Sequence, residues 1–199
     1  MNTQAPAFIQ RLALACIGTA LLSSIGLGVW DLIHPMFAGP RYTLTPASLV
    51  QLWSYGLLQA LKPIGFLAGL YGFFLVATRQ GKLLKIILAL AGIGGVVYAV
   101  VWLMIAITGR DDALYIGNRA LGSDGHSNGA ALFLWLAPLA LGIDAWFARR
   151  VRRWQAAWVA AAGLLGSQLF GLFPPGVALI MEGILWLGLG ATVYRSAAA

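Results

Sequence analysis

Apolar residues in this chain come in runs of about the length a membrane requires, and short polar segments separate them. A helix needs about 20 predominantly apolar residues to cross the hydrocarbon core. Six stretches qualify, near residues 11–30, 52–78, 84–108, 129–148, 154–173 and 176–194. Each is expected to be helical, because lipid offers no partner to an unpaired strand, and no alternating barrel pattern occurs. The expected fold is therefore all-α: a polytopic membrane protein of about six transmembrane helices, forming one domain over residues 1–199.

Local signals refine these spans. Thr45-Pro46 offers a capping hydroxyl and then a proline at a first helical position. Pro63 lies inside the second stretch and is expected to kink it. That stretch is long, so its first turns, with Gln51, Trp53 and Tyr55, are expected to lie along the interface. Phe173-Pro174-Pro175-Gly176 is a tight, uncharged turn, which makes the last two spans an antiparallel hairpin. Arg11 followed by the apolar run Leu12–Val29 resembles a signal peptide. The run is longer than a usual signal core and no small-x-small site follows it, so it reads as a retained first helix.

Composition supports the same class. Of 199 residues 60% are apolar and 10% charged, whereas soluble domains carry roughly 25% charged residues. The net charge of +7 reads as topology rather than affinity for nucleic acid. One set of connecting segments holds Arg11, then Arg79, Lys82 and Lys85, then Arg149, Arg150, Arg152 and Arg153, and finally Arg195; the other holds Arg41, Arg110 and Arg119. By the positive-inside rule the first set is cytoplasmic. Both termini then face the cytoplasm and the protein resides in the plasma (inner) membrane. Trp30, Trp53, Trp146 and Trp154 fall near span ends, as interfacial anchors do, while Trp186 lies deeper and reads as packing.

Few classes of chemistry fit. Cys16 is the one cysteine, so an internal disulfide is excluded. His34 and His126 both fall in segments assigned to the outer side, which argues against a bis-histidine haem across the bilayer. No cofactor is expected. Asp111, Asp112, Asp124 and His126 carry the right atoms for a divalent cation, but their spacing is not diagnostic. Ser123, Asp124 and His126 supply the residue types of a hydrolytic triad, yet no G-x-S-x-G elbow accompanies them. No catalytic residue is assigned. Gly117 and Gly122 have the spacing of a phosphate loop without its lysine. Gly65-x-x-x-Gly69 and Gly92-x-Gly94-Gly95 signal close helix packing.

Polar groups inside spans are costly and are functional candidates for that reason. Gln59, Lys62, Gln168 and Glu182 stand out. Counted along their helices, all four fall in the outer third of the membrane. A lone charge there would neutralise itself, whereas opposite charges at one depth compensate each other. Lys62 and Glu182 are therefore expected to pair, with Gln59 one turn from Lys62 and Gln168 reaching in from the fifth span. Plainer readings stand beside this one: Lys62 can snorkel to the surface, or the pair can serve packing alone. Asp144 reads as an interfacial charge among arginines.

The leading expectation is an integral membrane protein that binds or transports a small molecule or lipid. Its site would face outward among the second, fifth and sixth spans, with Lys62, Glu182, Gln59 and Gln168 as ligand-binding residues. The bilayer and an anionic or amphipathic small molecule are the expected partners. Two other readings remain: an accessory subunit in a homo-oligomer or larger membrane complex, and a membrane enzyme acting on a lipid or isoprenoid.

Overall fold

The computed structural model describes residues 4–34, 37–38, 43–44, 49–108 and 129–198. The first helix is continuous through α1 (Gln4–Thr19), a π-helical segment (Ala20–Gly26) and α2 (Leu27–Ile33). A two-residue antiparallel ribbon follows, β1 (Phe37–Ala38) with β2 (Thr43–Leu44). Then come α3 (Leu49–Ala77), α4 (Lys82–Thr108), α5 (Gly129–Ala148), α6 (Arg153–Leu172) and α7 (Pro175–Ala198).

Four helices are long and apolar enough to cross a membrane: Pro6–Ile33, Val50–Ala77, Lys82–Thr108 and Pro175–Ala198, of 28, 28, 27 and 24 residues. At 1.5 Å per residue the shortest is about 36 Å long, against a hydrocarbon core of about 30 Å. The polarity of the molecule is inverted to match. Ile64, Ile93, Val96, Ile107 and Leu172 face outward, while Lys62, Glu182 and Gln59 are buried. This is the build of a membrane-embedded protein.

The helices close into a ring in the order first helix, α3, α4, α5, α6, α7 and back to the first, and α3 also touches α5 and α7. Two contacts fix the ends. Gly72 on α3 packs against Leu12 of α1 and Val193 of α7, and Gly28 of α2 faces Gly176 of α7 at the opposite end. Near the first of these ends, the Arg79 backbone N–H donates to Asp144 Oδ2 at 2.8 Å and its guanidinium to the Phe147 carbonyl at 3.0 Å. The basic α3–α4 and α5–α6 turns thus lie side by side, and Asp144 meets a backbone amide in addition to lying near arginines.

Helix ends follow from local chemistry. Phe173 is extended, with φ −129° and ψ 155°, as a residue before proline must be. Pro175 then occupies a first-turn position where its missing N–H costs nothing. After α3, Gln80 takes φ 56°, a left-handed conformation that disfavours side chains. The Thr78 hydroxyl offsets this by accepting the Gln80 N–H at 3.2 Å.

The first helix extends past residues 11–30 at both ends, from Gln4 to Ile33, because isolated polar residues such as Gln10 and Arg11 do not stop a helix. The first turns of α3 are continuous with the rest of the helix and bury Gln51 and Tyr55 while Trp53 is exposed. Pro63 is accommodated within one uninterrupted α3. The Thr45-Pro46 start lies outside the described residues.

The buried apolar residues form two clusters. One contains Ala20, Phe66, Leu70, Trp135, Trp186 and Leu189. The other contains Leu27, Leu52, Tyr55, Ala60, Trp102 and Leu179. On the first helix, α3 and α7 the same order recurs: a residue of one cluster, a buried polar residue, then a residue of the other. Ser24 lies between Ala20 and Leu27, Lys62 between Ala60 and Phe66, and Glu182 between Leu179 and Trp186.

Candidate functional site

The polar layer between the two clusters centres on an ion pair. Lys62 Nζ lies 2.6 Å from Glu182 Oε2, and the side chains are 3% and 6% exposed. Lys62 sits about 20 Å along α3 from Leu49 and Glu182 about 10 Å along α7 from Pro175. Lys62 does not snorkel; its ammonium stays inside the bundle. Glu182 Oε2 also accepts the Ser24 hydroxyl at 3.2 Å.

Ser24 reaches this position through the π-helical turn. A π-turn holds more residues per turn than an α-helix and re-aims the side chains it carries. Here Ser23 and Ser24 are both buried in the widened segment beside α7. Gly183 permits the approach: a Cβ there would meet Ile25 Cγ1 at 2.5 Å and the Ala20 carbonyl at 3.0 Å.

Gln59 forms the second part. Its Oε1 accepts the Tyr98 hydroxyl from α4 at 2.7 Å, and Tyr55 lies one turn from it along α3. Asp31 and Glu182 both lie within electrostatic reach of Tyr55. Because Pro63 has no N–H, the Gln59 backbone carbonyl lacks its helical donor, adding an acceptor beside the pair.

Gln51, Tyr55, Gln59 and Lys62 follow one another on α3 at spacings of four, four and three residues, which keeps them on one face. All four are buried. At the chain end of this stripe the Gln51 amide donates to the His34 carbonyl at 3.1 Å. Beyond Lys62 the same face becomes apolar with Phe66, Leu70 and Phe73. Phe66 stacks on Trp186 with centroids 3.9 Å apart and planes at 10°, and Trp135 tilts against Trp186 at 5.5 Å. The stack is one turn from both charges. A polar stripe thus enters the bundle from one end, reaches an ion pair and stops at an aromatic floor. Among the described residues the buried Trp186 indole N–H has no partner. The Trp102 N–H lies beside the Tyr98 hydroxyl but outside hydrogen-bonding geometry.

Comparison with family models, curated proteins and solved structures gives no match. The chemistry of the site rests on its own geometry.

Of the residues named from sequence, Lys62, Glu182 and Gln59 come together. Gln168 belongs to α6, and its side chain lies outside the described residues, as do Asp111, Asp112, Asp124 and His126. Among the described residues no three His, Cys, Asp or Glu side chains group to hold a metal. Sequence reasoning missed Ser24 and Tyr98, so the described polar layer draws on the first helix and α4 as well as α3 and α7. Two signals were present: adjacent serines at the depth of Glu182, and a tyrosine within an otherwise apolar third span.

What the arrangement can do follows from its charges. An ammonium and a carboxylate removed from water need each other, and deleting one partner of such a pair costs about 3–5 kcal/mol. Either charge can change partner only for a group of the same sign, and either can be cancelled by a proton transfer.

Proposed function

We propose that this chain is a six-span protein of the plasma (inner) membrane, with both termini cytoplasmic, that binds and moves a small molecule or lipid. The ligand enters from the outer face along the stripe Gln51, Tyr55, Gln59 and Lys62. Lys62 holds an anionic group of the ligand, Glu182 balances the charge, and Gln59 supplies neutral hydrogen bonds. The supporting observation is the Lys62–Glu182 pair at 2.6 Å, buried midway along a membrane-length helix. Ionisable residues within membrane spans mark substrate or ion pathways by default. The distribution of Lys and Arg supports the orientation, and α5 and α6, at 20 residues each, are just long enough to complete six crossings.

A thermal-shift screen of small anions, amphiphiles and lipids on detergent-purified protein tests this. Ligands that stabilise the wild type are expected to leave the melting temperature of folded Lys62→Ala unchanged. In reconstituted vesicles Glu182→Ala is expected to lose flux. Full binding and flux in both variants would exclude the reading.

A further inference from the structure

Charge balance in the buried layer identifies the class of ligand and what must accompany it. Among the charged and titratable groups described around Glu182, α3 contributes Lys62 and Tyr55, α4 contributes Tyr98, and the first helix contributes Asp31 and Cys16. Lys62 is the one cation in this set, and Glu182 already neutralises it. A second anion entering beside Glu182 would place two negative charges on one ammonium in a medium of low polarity, which opposes binding strongly.

A proton on Glu182 removes that conflict. The carboxylate gains an O–H bond, using a proton from solution, and Lys62 Nζ exchanges its contact with Glu182 Oε2 for one with the incoming anion. No other bond changes. The Lys62–Glu182 pair is neutral before binding, with ammonium and carboxylate, and together with the ligand it is neutral afterwards, with ammonium, carboxylic acid and ligand anion. The protonated Glu182 also becomes a donor, like the Ser24 hydroxyl beside it. Phe66 and Trp186, with Trp135 against Trp186, place apolar, aromatic side chains within a turn of the charges.

We infer that the site takes a monoanion with an apolar body, of the class of aromatic or medium-chain carboxylates, and that each anion enters with one proton that settles on Glu182. This rests on the proposed ligand-binding reading and adds ligand class and proton coupling to it.

The test uses the full-length protein in nanodiscs, in weakly buffered solution, with benzoate and octanoate as probes. Binding is read by calorimetry and proton uptake by a pH electrode. Wild type is expected to take up about one proton per anion bound, and its affinity to fall as the pH rises, by up to about tenfold per pH unit for a coupling of one proton. Glu182→Gln, a neutral mimic of the protonated acid, is expected to bind with no proton uptake and no pH dependence. Lys62→Met is expected to lose binding while remaining folded by circular dichroism and gel filtration. The wild-type measurement needs no variant, so a misfolded mutant leaves the test intact. Anion binding without proton uptake overturns the coupling and leaves the ligand-binding reading standing. Failure of both acids to bind overturns the ligand class. Unchanged binding in Lys62→Met overturns the site itself, and with it the proposed function.

Discussion

Lys62 and Glu182 share a single short contact, and each would be disfavoured in hydrocarbon without the other. That mutual need leaves open whether the pair serves packing or a ligand, and a double substitution separates the two. Lys62→Met alone leaves a carboxylate without its cation and is expected to destabilise the protein by about 3–5 kcal/mol. Lys62→Met with Glu182→Leu replaces both charges by apolar groups of similar size. It is expected to recover most of that loss, because well-packed hydrophobic replacements of buried pairs are often neutral. Thermal unfolding in detergent measures the recovery, and ligand binding in the same samples completes the comparison. A double variant that is stable but binds nothing marks a pair retained for function. A double variant that regains both stability and binding would reduce the pair to a helix fastener. The two charges were legible in the sequence because any charge within an apolar run is conspicuous. Ser24 and Tyr98 were not, because hydroxyls occur in spans at little cost and their role depends on which neighbour they meet.

Among the elements, the least conventional is the π-helical turn Ala20–Gly26, and it works only because α7 presents no side chain where the turn is widest. Gly183→Ala places a Cβ against Ile25 and the Ala20 carbonyl, so the first helix or α7 must shift. The expected cost is about 1–3 kcal/mol, as for other overpacked sites, together with weakened ligand binding as Ser24 moves away from Glu182. Gly92→Ala is the control: a Cβ at Gly92 meets nothing within 4 Å, so its melting temperature is expected to stay at or above that of the wild type. Equal behaviour of the two variants, read by thermal unfolding, would remove Gly183 from the argument. The helix-contact signal Gly65-x-x-x-Gly69 was readable, and both glycines do press against the first helix, at Thr19 and Cys16. The π-turn was not readable. Its sequence, Ala-Leu-Leu-Ser-Ser-Ile-Gly, has an ordinary membrane-helix composition, and a change from i→i+4 to i→i+5 bonding leaves no periodic mark over seven residues. The paired prolines 174 and 175, by contrast, announced the α6–α7 turn through chemistry that no tertiary contact can override.

For the molecule as a whole, the decisive quantity is the number of crossings, and the basic residues make a prediction at each turn. The Arg79–Asp144 and Arg79–Phe147 bonds tie the α3–α4 turn to the end of α5, so the segments carrying Arg79, Lys82 and Lys85 and Arg149 to Arg153 must share one side of the membrane. On the orientation we propose from the positive-inside rule, that side is the cytoplasm. Reporter cysteines in a Cys16→Ala background turn this into a measurement. Gly81→Cys, Arg150→Cys and Ser196→Cys are expected to react with a membrane-impermeant maleimide only after cells are permeabilised. Asn118→Cys and Phe173→Cys are expected to react in intact cells. The pattern is sensitive at every helix boundary. If α5 and α6 failed to cross, residues 118, 150 and 173 would all label from one side, and the reporter at 150 would then lie on the opposite side from 81, which the bonds of Arg79 forbid. A reversed pattern would place the polar stripe's entrance toward the cytoplasm and invert the direction of entry, while leaving the charge balance around Glu182 untouched. The labelling experiment therefore isolates orientation from site chemistry.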